Sequence, residues 1–274
     1  MSGQLILCGL PIGNPGDLSP RVLKTLAAAD IIAAEDTRTA GIFLRRHQLS
    51  KKIISLYEHN EAARVPQILE LLRAGKNIAV ISEAGMPLIS DPGYQLVKAA
   101  REANVAIDVA PGPTALITAL AASGLPTDSF IFQGFLPAPE GQRREMLESL
   151  RAERRTLIFY EAPHRILDTL QDAALILPER LCFLGRELTK KYQEHLRGTA
   201  REILSRLKTP RGEFVLIISG ATGGEELPPA VWRLAAELKQ LKLPTAQAAQ
   251  IIAEVFALPK NRVKKILYAD TAFR

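Results

Sequence analysis

The sequence predicts an α/β protein of two domains with a small helical appendage, and three observations carry that expectation. Short apolar runs of β type alternate with helix-period segments through the first hundred residues. The ratio of strands to helices rises beyond Gly112, and the chain after Gly224 shows helical periodicity alone. At 274 residues and 47% hydrophobic, the chain exceeds an ordinary single domain and can bury a sizeable core. The expected division is 1–112, 113–222 and 223–274.

Taken in order, Leu5–Cys8, Ile31–Ala34, Ile53–Leu56, Ile78–Ile81 and Val105–Val109 read as strands, with helical patterns at Pro20–Ala29, Ala62–Arg73 and Tyr94–Ala103 between several of them. Ala110-Pro111-Gly112-Pro113-Thr114 interrupts this βαβ series. After a helix at Ala115–Ala122, the runs Phe130–Gly134, Thr156–Tyr160, Leu181–Leu184 and Glu213–Ile218 follow with fewer helices between them, which predicts an antiparallel or mixed sheet. Ala221–Glu226 reads as a linker, and Pro228–Gln240, Thr245–Phe256 and Pro259–Tyr268 as the helices of the appendage.

Composition narrows the function classes. No apolar run approaches the roughly 18–20 residues that cross a bilayer, and Met1-Ser2-Gly3-Gln4 has no charged region leading into a signal peptide, so a cytoplasmic protein without a membrane partner is expected. Cys8 and Cys182 lie in separate apolar runs, and His47, His59, His164 and His195 are scattered, so neither a disulfide nor a metal site is expected. The net charge of +6 suggests a polyanionic partner. Its excess lies in the second half, where the stretch from Lys239 to Arg274 carries Glu254 and Asp270 as its only acids.

The first strand is followed by Gly9, Gly13 and Gly16, too widely spaced for a dinucleotide fingerprint. No Walker loop, G-x-S-x-G elbow or H-E-x-x-H occurs, which argues against hydride transfer, ATP hydrolysis and serine-hydrolase chemistry. Three Gly/Pro loops follow predicted strands instead: Leu10–Asp17, Ser82–Gly93 and Pro111–Thr114. Such loops bring bare backbone close to a ligand at the carboxyl edge of a sheet, where open α/β folds bind. One loop would be an ordinary turn; three at one edge predict a lined crevice.

Asn14-Pro15-Gly16-Asp17, Ala84-Gly85-Met86-Pro87, Pro111-Gly112-Pro113-Thr114-Ala115 and Gly212-Glu213-Phe214 together resemble the tetrapyrrole methylase (class III methyltransferase) fold family. Within it, Ala34–Arg38, Tyr57–Glu61, Ser82–Gly93, Phe159–Arg165 and Arg186–Lys190 are similar to the ribosomal RNA small subunit methyltransferase I group. The likeness runs from about Leu5 to Ser219 and includes the tail. It implies S-adenosylmethionine as cofactor, 2′-O-methylation of a cytidine in 16S rRNA or the 30S subunit, no DNA partner, and a homodimer. Met86 stands where tetrapyrrole-modifying relatives carry an acidic residue, which argues against a porphyrin or corrin substrate.

The same likeness places Pro15, Ala84, Gly85, Met86, Ile89, Thr114, Ala115, Glu161 and Leu188 near the cofactor, although Ile89, Ala115 and Leu188 taken singly fit core packing equally well. A ribose hydroxyl is a very weak acid, so a positioned base should assist methyl transfer. The candidates are Glu35, Asp36, His59, Glu83, Asp91, Glu161, His164 and Glu187. Glu83 and Glu161 are favoured because each ends a strand and is expected to face the crevice, with His59 behind them.

Arg38, Arg165, Arg186 and Lys190 suit phosphate contact, as do Lys260, Arg262, Lys264 and Lys265 in a helix-turn-helix-like tail. Two other readings stay open: a same-fold methyltransferase for a small macrocycle or peptide, and a non-catalytic RNA-binding protein.

Overall fold

Strands and helices alternate through the first 123 residues: β1 (Gln4–Cys8), α1 (Pro20–Ala28), β2 (Ile31–Ala34), α2 (Thr37–Arg46), β3 (Lys52–Ser55), α3 (Glu61–Arg73), β4 (Ile78–Ile81), α4 (Tyr94–Glu102), β5 (Ala106–Ala110) and α5 (Ala115–Ser123). This computed structural model describes residues 3–221, 229–241 and 243–269, without the side chains of Pro229, Arg262, Lys265, Ile266, Tyr268 and Ala269. The five strands form one sheet, ordered β3-β2-β4-β1-β5, in which every pairing is parallel. β2 and β4 are buried at every position, as expected of a parallel sheet covered on both faces. One face packs Leu5, Leu7, Val80 and Leu96, the other Cys8, Val22, Ile32 and Leu44.

Local chemistry explains where the helices begin. Ser19 accepts from the Val22 amide with Pro20 at the first helical position, which starts α1. Asp36 accepts from the amides of Arg38 and Thr39 at the head of α2. Gly93, at a φ of +123°, turns the chain into α4. The buried carboxylate of Glu61 accepts from the Leu96 amide in the first turn of that helix.

The second sheet is built from β6 (Phe130–Phe135), β7 (Thr156–Glu161), β8 (Leu181–Arg186), β9 (Glu194–Thr199) and β10 (Phe214–Ile218). Its order is β6-β7-β10-β8-β9, with β6 and β7 parallel and the other pairs antiparallel, which is the mixed sheet the strand-rich sequence predicts. One face is covered by α6 (Glu140–Ser149), α7 (Ile166–Ile176) and α8 (Ala200–Arg206), and the other packs Ile158, Phe183, Val215 and Ile217 with Leu116, Ala119 and Leu120 of α5.

The chain divides into two compact units, residues 1–221 and 222–274, so both sheets lie in the first. In the second unit, α9 (Pro229–Gln240), α10 (Thr245–Val255) and α11 (Lys260–Ala269) bury Val231, Ala235, Leu238, Ala249, Ile252, Val263 and Leu267 in a core of their own. The predicted linker lies outside the described residues beyond Ala221. Among the described residues no helix is long and apolar enough to cross a membrane, and no cluster of His, Cys, Asp and Glu could hold a metal ion. Cys8 and Cys182 are free and buried, and burial pushes both thiols up to about 12.

Candidate active site

Because every strand of the first sheet runs the same way, the carboxyl ends share one edge, and the three Gly/Pro loops leave the adjacent strands β4, β1 and β5. They are tied to one another. Leu10 and Gly85 exchange backbone hydrogen bonds of 2.8 and 3.1 Å, and the Gly112 amide donates to the Met86 sulfur at 3.3 Å. Gly9 and Gly112 pass so closely that a Cβ on Gly9 would lie 2.6 Å from the Gly112 nitrogen and 2.6 Å from the Met86 sulfur. Glycine is required there by contact.

The second sheet presents its own edge to this crevice. Phe214 at the start of β10 pairs with Glu161 at the end of β7 and with Arg186 at the end of β8. Together the two edges enclose a cavity of about 340 Å³, whose lining includes Ile12, Ala84, Gly85, Met86, Ile89, Thr114, Ala115, Tyr160, Leu188 and Val215. Asp91 lies on this wall, and its surroundings oppose its ionisation. The α5 N-terminus opens here without a side-chain cap, and the Leu116 amide in its first turn donates to the Tyr160 hydroxyl at 3.3 Å.

Two loops hold the aliphatic walls in place by strained backbone. Ile89 sits between Leu88 (φ +74°) and Ser90 (φ +66°), and Leu188 between Glu187 (φ +49°) and Thr189 (φ +66°). Non-glycine residues in this region cost on the order of 1–3 kcal/mol each and cluster at ligand sites. Lys190 fixes the second loop by donating to Glu187 at 3.0 Å and Glu213 at 2.8 Å.

A second cavity, of about 350 Å³, lies along the same sheet edge between β2, β4 and α2. Leu10, Ala34, Ile81 and Phe43 line it together with Glu35, Asp36, Ser82, Glu83 and Arg46. The segment from Ser82 to Asp91 separates the two cavities. Burial, then repulsion from Glu35 and Glu83, raises the Asp91 carboxyl to about 6, against the stabilising contact with the Ser82 hydroxyl. Glu35 is raised as well, by burial first and then by Glu83.

Eight of the nine expected cofactor residues line the first cavity; Pro15 does not, being exposed in a short 3₁₀ turn (Pro15–Asp17). The expected bases stand in three different places. Glu161 does not face the crevice with its carboxylate, which is fully buried: it accepts from Thr169 Oγ1 at 2.6 Å and from the Ala162 amide at 2.8 Å, beside Arg165. Glu83 lines the second cavity instead of the first, and His59 is exposed in the turn before α3, outside both linings. A strand's last residue alternates faces with its neighbour, so ending a strand did not fix the direction of either glutamate.

The expected phosphate ligands differ in availability. Arg38 is 89% exposed, pairing with Asp36. Arg165 is turned inward against the Leu136 carbonyl and Glu161, Arg186 pairs with Glu194 at 2.9 Å, and Lys190 is committed to its loop, so none of these three is a free surface cation. Lys260 is exposed and Lys264 half-buried; the side chains of Arg262 and Lys265 lie outside the described residues.

Asp91, weighed in the sequence but not favoured, is placed on the cavity wall by the loop fold. Tyr160, Phe135 and Ile12 were missed, and Tyr160 stacks edge-on against Phe132 and Phe135 at 4.9 and 5.8 Å. Alternation along β7 puts Tyr160 on the face of Ile158, whereas Phe135 joins it through the register shift between Phe132 and Gly134 in β6, which no sequence pattern announced.

Comparison with known proteins agrees with this geometry. The family described as Tetrapyrrole (Corrin/Porphyrin) Methylases matches residues 4–204. The "Ribosomal RNA small subunit methyltransferase I" of Escherichia coli O157:H7 is 44% identical over 96% of this chain and 94% of its own length. The chain belongs to the tetrapyrrole methylase family, in its ribosomal RNA small subunit methyltransferase I branch. A relative of the same name from Thermotoga maritima is 45% identical over 220 residues, which is 80% of this chain but 99% of the relative. That branch member is therefore about as long as the first compact unit alone. The crystal structure of uroporphyrin-III C-methyltransferase from Thermus thermophilus complexed with S-adenyl homocysteine shares the fold, with a TM-score of 0.54 at 15% identity over 79% of this chain and 97% of that one.

Proposed function

We propose that this chain is an S-adenosylmethionine-dependent methyltransferase that modifies the 2′-hydroxyl of a cytidine in 16S ribosomal RNA. Membership of the branch supports the reaction class, and the first cavity supports the placement of the cofactor. Its volume falls within the roughly 300–1,000 Å³ of small-molecule sites. Its small residues, Ala84, Gly85 and Ala115, leave backbone accessible, while Met86, Ile89 and Leu188 offer apolar cover. The Gly85 backbone, at a φ of +74°, would put a Cβ 3.3 Å from Ile12, so a side chain there would crowd the wall. The uncapped α5 N-terminus suits an anionic group, and Asp91 a cationic one. The bound cofactor supplies a methyl group on a positively charged sulfur, already activated for displacement.

What remains for the protein is alignment, exclusion of water and removal of one proton. The loops around Ile89 and Leu188 are rigid walls for alignment. Asp91 is the general base: it lies on the cavity wall and is raised towards neutral pH, where a base works best. Glu161 positions β7 against α7 through Thr169 and does not take the proton.

The raised, cavity-lining Asp91 carries this assignment. A domain division at Gly112, a homodimer, a cytoplasmic location and a phosphate-contacting role for the basic tail, with Arg38, belong to the same reading. Incubating the protein with labelled S-adenosylmethionine and 30S subunits or naked 16S rRNA, then mass-mapping the nucleosides, tests it. One ribose-methylated cytidine is expected. Label on a nucleobase, or on a small macrocycle but not on RNA, would contradict it.

A further inference from the structure

We propose that the second cavity receives the nucleobase of the target nucleotide, and that Glu83 with Glu35 selects cytosine over uracil by accepting hydrogen bonds from its exocyclic amino group. This rests on the rRNA-methylating reading above and assigns a role to residues outside the first cavity.

Position is the first support. Ser82–Asp91 is the wall common to both cavities: Ser82 and Glu83 line one side, and Ser90 and Asp91 the other. A nucleotide whose ribose hydroxyl reaches Asp91 therefore has the second cavity as the adjacent space for its base. Enzymes that work on a nucleotide within structured RNA draw it out of the stack into such a pocket, at a cost of a few kcal/mol.

The lining chemistry is the second. Leu10, Ala34, Ala40, Phe43 and Ile81 make an apolar part of the lining, and Arg46 stands exposed at the end of α2, where it can meet a phosphate. The three carboxylates are not equivalent. Asp36 is spent on the Arg38 and Thr39 amides and the Arg38 guanidinium. Glu35 and Glu83 make no hydrogen bond or ion pair among the described residues. Acids left without partners on a pocket wall are acceptors waiting for a donor.

Cytosine and uracil differ at this edge: cytosine carries an amino donor where uracil carries a carbonyl acceptor. A carboxylate accepts from the first and repels the second, a discrimination worth about 1–3 kcal/mol per good contact.

The test uses the full chain with 30S particles reconstituted from 16S transcripts carrying cytosine, uracil or pyrimidin-2-one, which lacks the amino group, at the mapped position. Wild type should prefer cytosine over uracil in kcat/KM by roughly 100-fold or more. E83Q should lose roughly 5–150-fold on cytosine, the equivalent of 1–3 kcal/mol, and narrow the ratio. Removing the amino group should cost E83Q little more, because the side chain and the base take part in one and the same hydrogen bond. E35Q should show the same pattern to a smaller degree, and both variants should bind S-adenosylmethionine as wild type does, which shows that they are folded.

Unchanged cytosine-to-uracil ratios in both variants, or equal losses on all three templates, would overturn the proposal. A wild-type protein that labels none of the templates would refute the rRNA reading and this inference with it. Labelling of uracil as readily as cytosine would refute the inference alone.

Discussion

The two cavities on the carboxyl edge of the first sheet are nearly equal in volume, about 340 and 350 Å³, and opposite in chemistry. The first is closed by both sheets, walled by Ile12, Met86, Ile89 and Leu188, and held by strained loops. The second is made by the first sheet and α2 alone, and concentrates carboxylates. An apolar, preformed space suits a cofactor that must be bound in one orientation; a space rich in unpaired acceptors suits a partner recognised by its donors. Size alone would not have told them apart. Asp91 belongs to the first cavity, and its carboxyl is raised by burial first and then by repulsion from two glutamates of the second, so the two sites are electrostatically linked.

The largest effect expected of any single change is at Asp91. D91N should lower kcat by roughly 10²–10⁴-fold while cofactor affinity stays within a few-fold, measured by single-turnover transfer and calorimetry. The same variant should be more stable than wild type at pH 8. With the folded carboxyl raised from 3.8 to about 6, the native state binds more protons than the unfolded chain between those values, so stability falls as pH rises through them. Replacing the charge by an amide should recover stability above pH 6 and nothing near pH 3. A melting temperature that drops in D91N at pH 8 would assign Asp91 to folding instead.

The pH profile sharpens the comparison at smaller amplitude. In wild type, kcat/KM should rise with pH to a plateau with a midpoint near 6 for the free enzyme, since only the ionised carboxylate accepts the proton. Neutralising either neighbour, in E83Q or E35Q, removes repulsion and should move that midpoint down. A midpoint unmoved in both variants would break the link between the cavities.

The smallest expected effect concerns the appendage. Truncation after Ala221 should leave cofactor affinity near that of wild type, since the Thermotoga relative spans little more than the first unit. It should weaken binding to naked 16S rRNA and flatten its salt dependence, because fewer phosphates are neutralised on binding and fewer counterions released. Identical affinity and salt slope would make the tail structural.

Much of the fold was legible because parallel strands buried on both faces are unbroken apolar runs, and Ile31–Ala34 and Ile78–Ile81 announce themselves. The helices Thr37–Arg46 and Glu140–Ser149 did not, because they are dominated by polar residues and bury only a narrow stripe: Ala40 with Leu44, and Arg143 with Leu147. β9 was missed for a similar reason. It is an edge strand, Glu194–Thr199, with Leu196 its one buried side chain. At the site, the Gly/Pro loops pointed to the crevice because Gly9, Gly85 and Gly112 are demanded by close approach or a positive φ, a constraint written in residue type. The direction of each carboxylate was not legible. Whether Glu161 turns to Thr169 or into the cavity depends on the register of β7 against β10, and Asp91 reaches the wall through the backbone turns at Leu88 and Ser90.

Calorimetric titration of S-adenosylmethionine into A115L and E83Q tests the division of labour most directly. Ala115 lies at the start of α5 on the first cavity wall, where leucine is compatible with the helix and fills cofactor space. The expected result is a Kd raised about 10–100-fold in A115L and unchanged in E83Q. Cofactor binding undiminished in A115L, or lost in E83Q, would contradict the assignment of the two cavities.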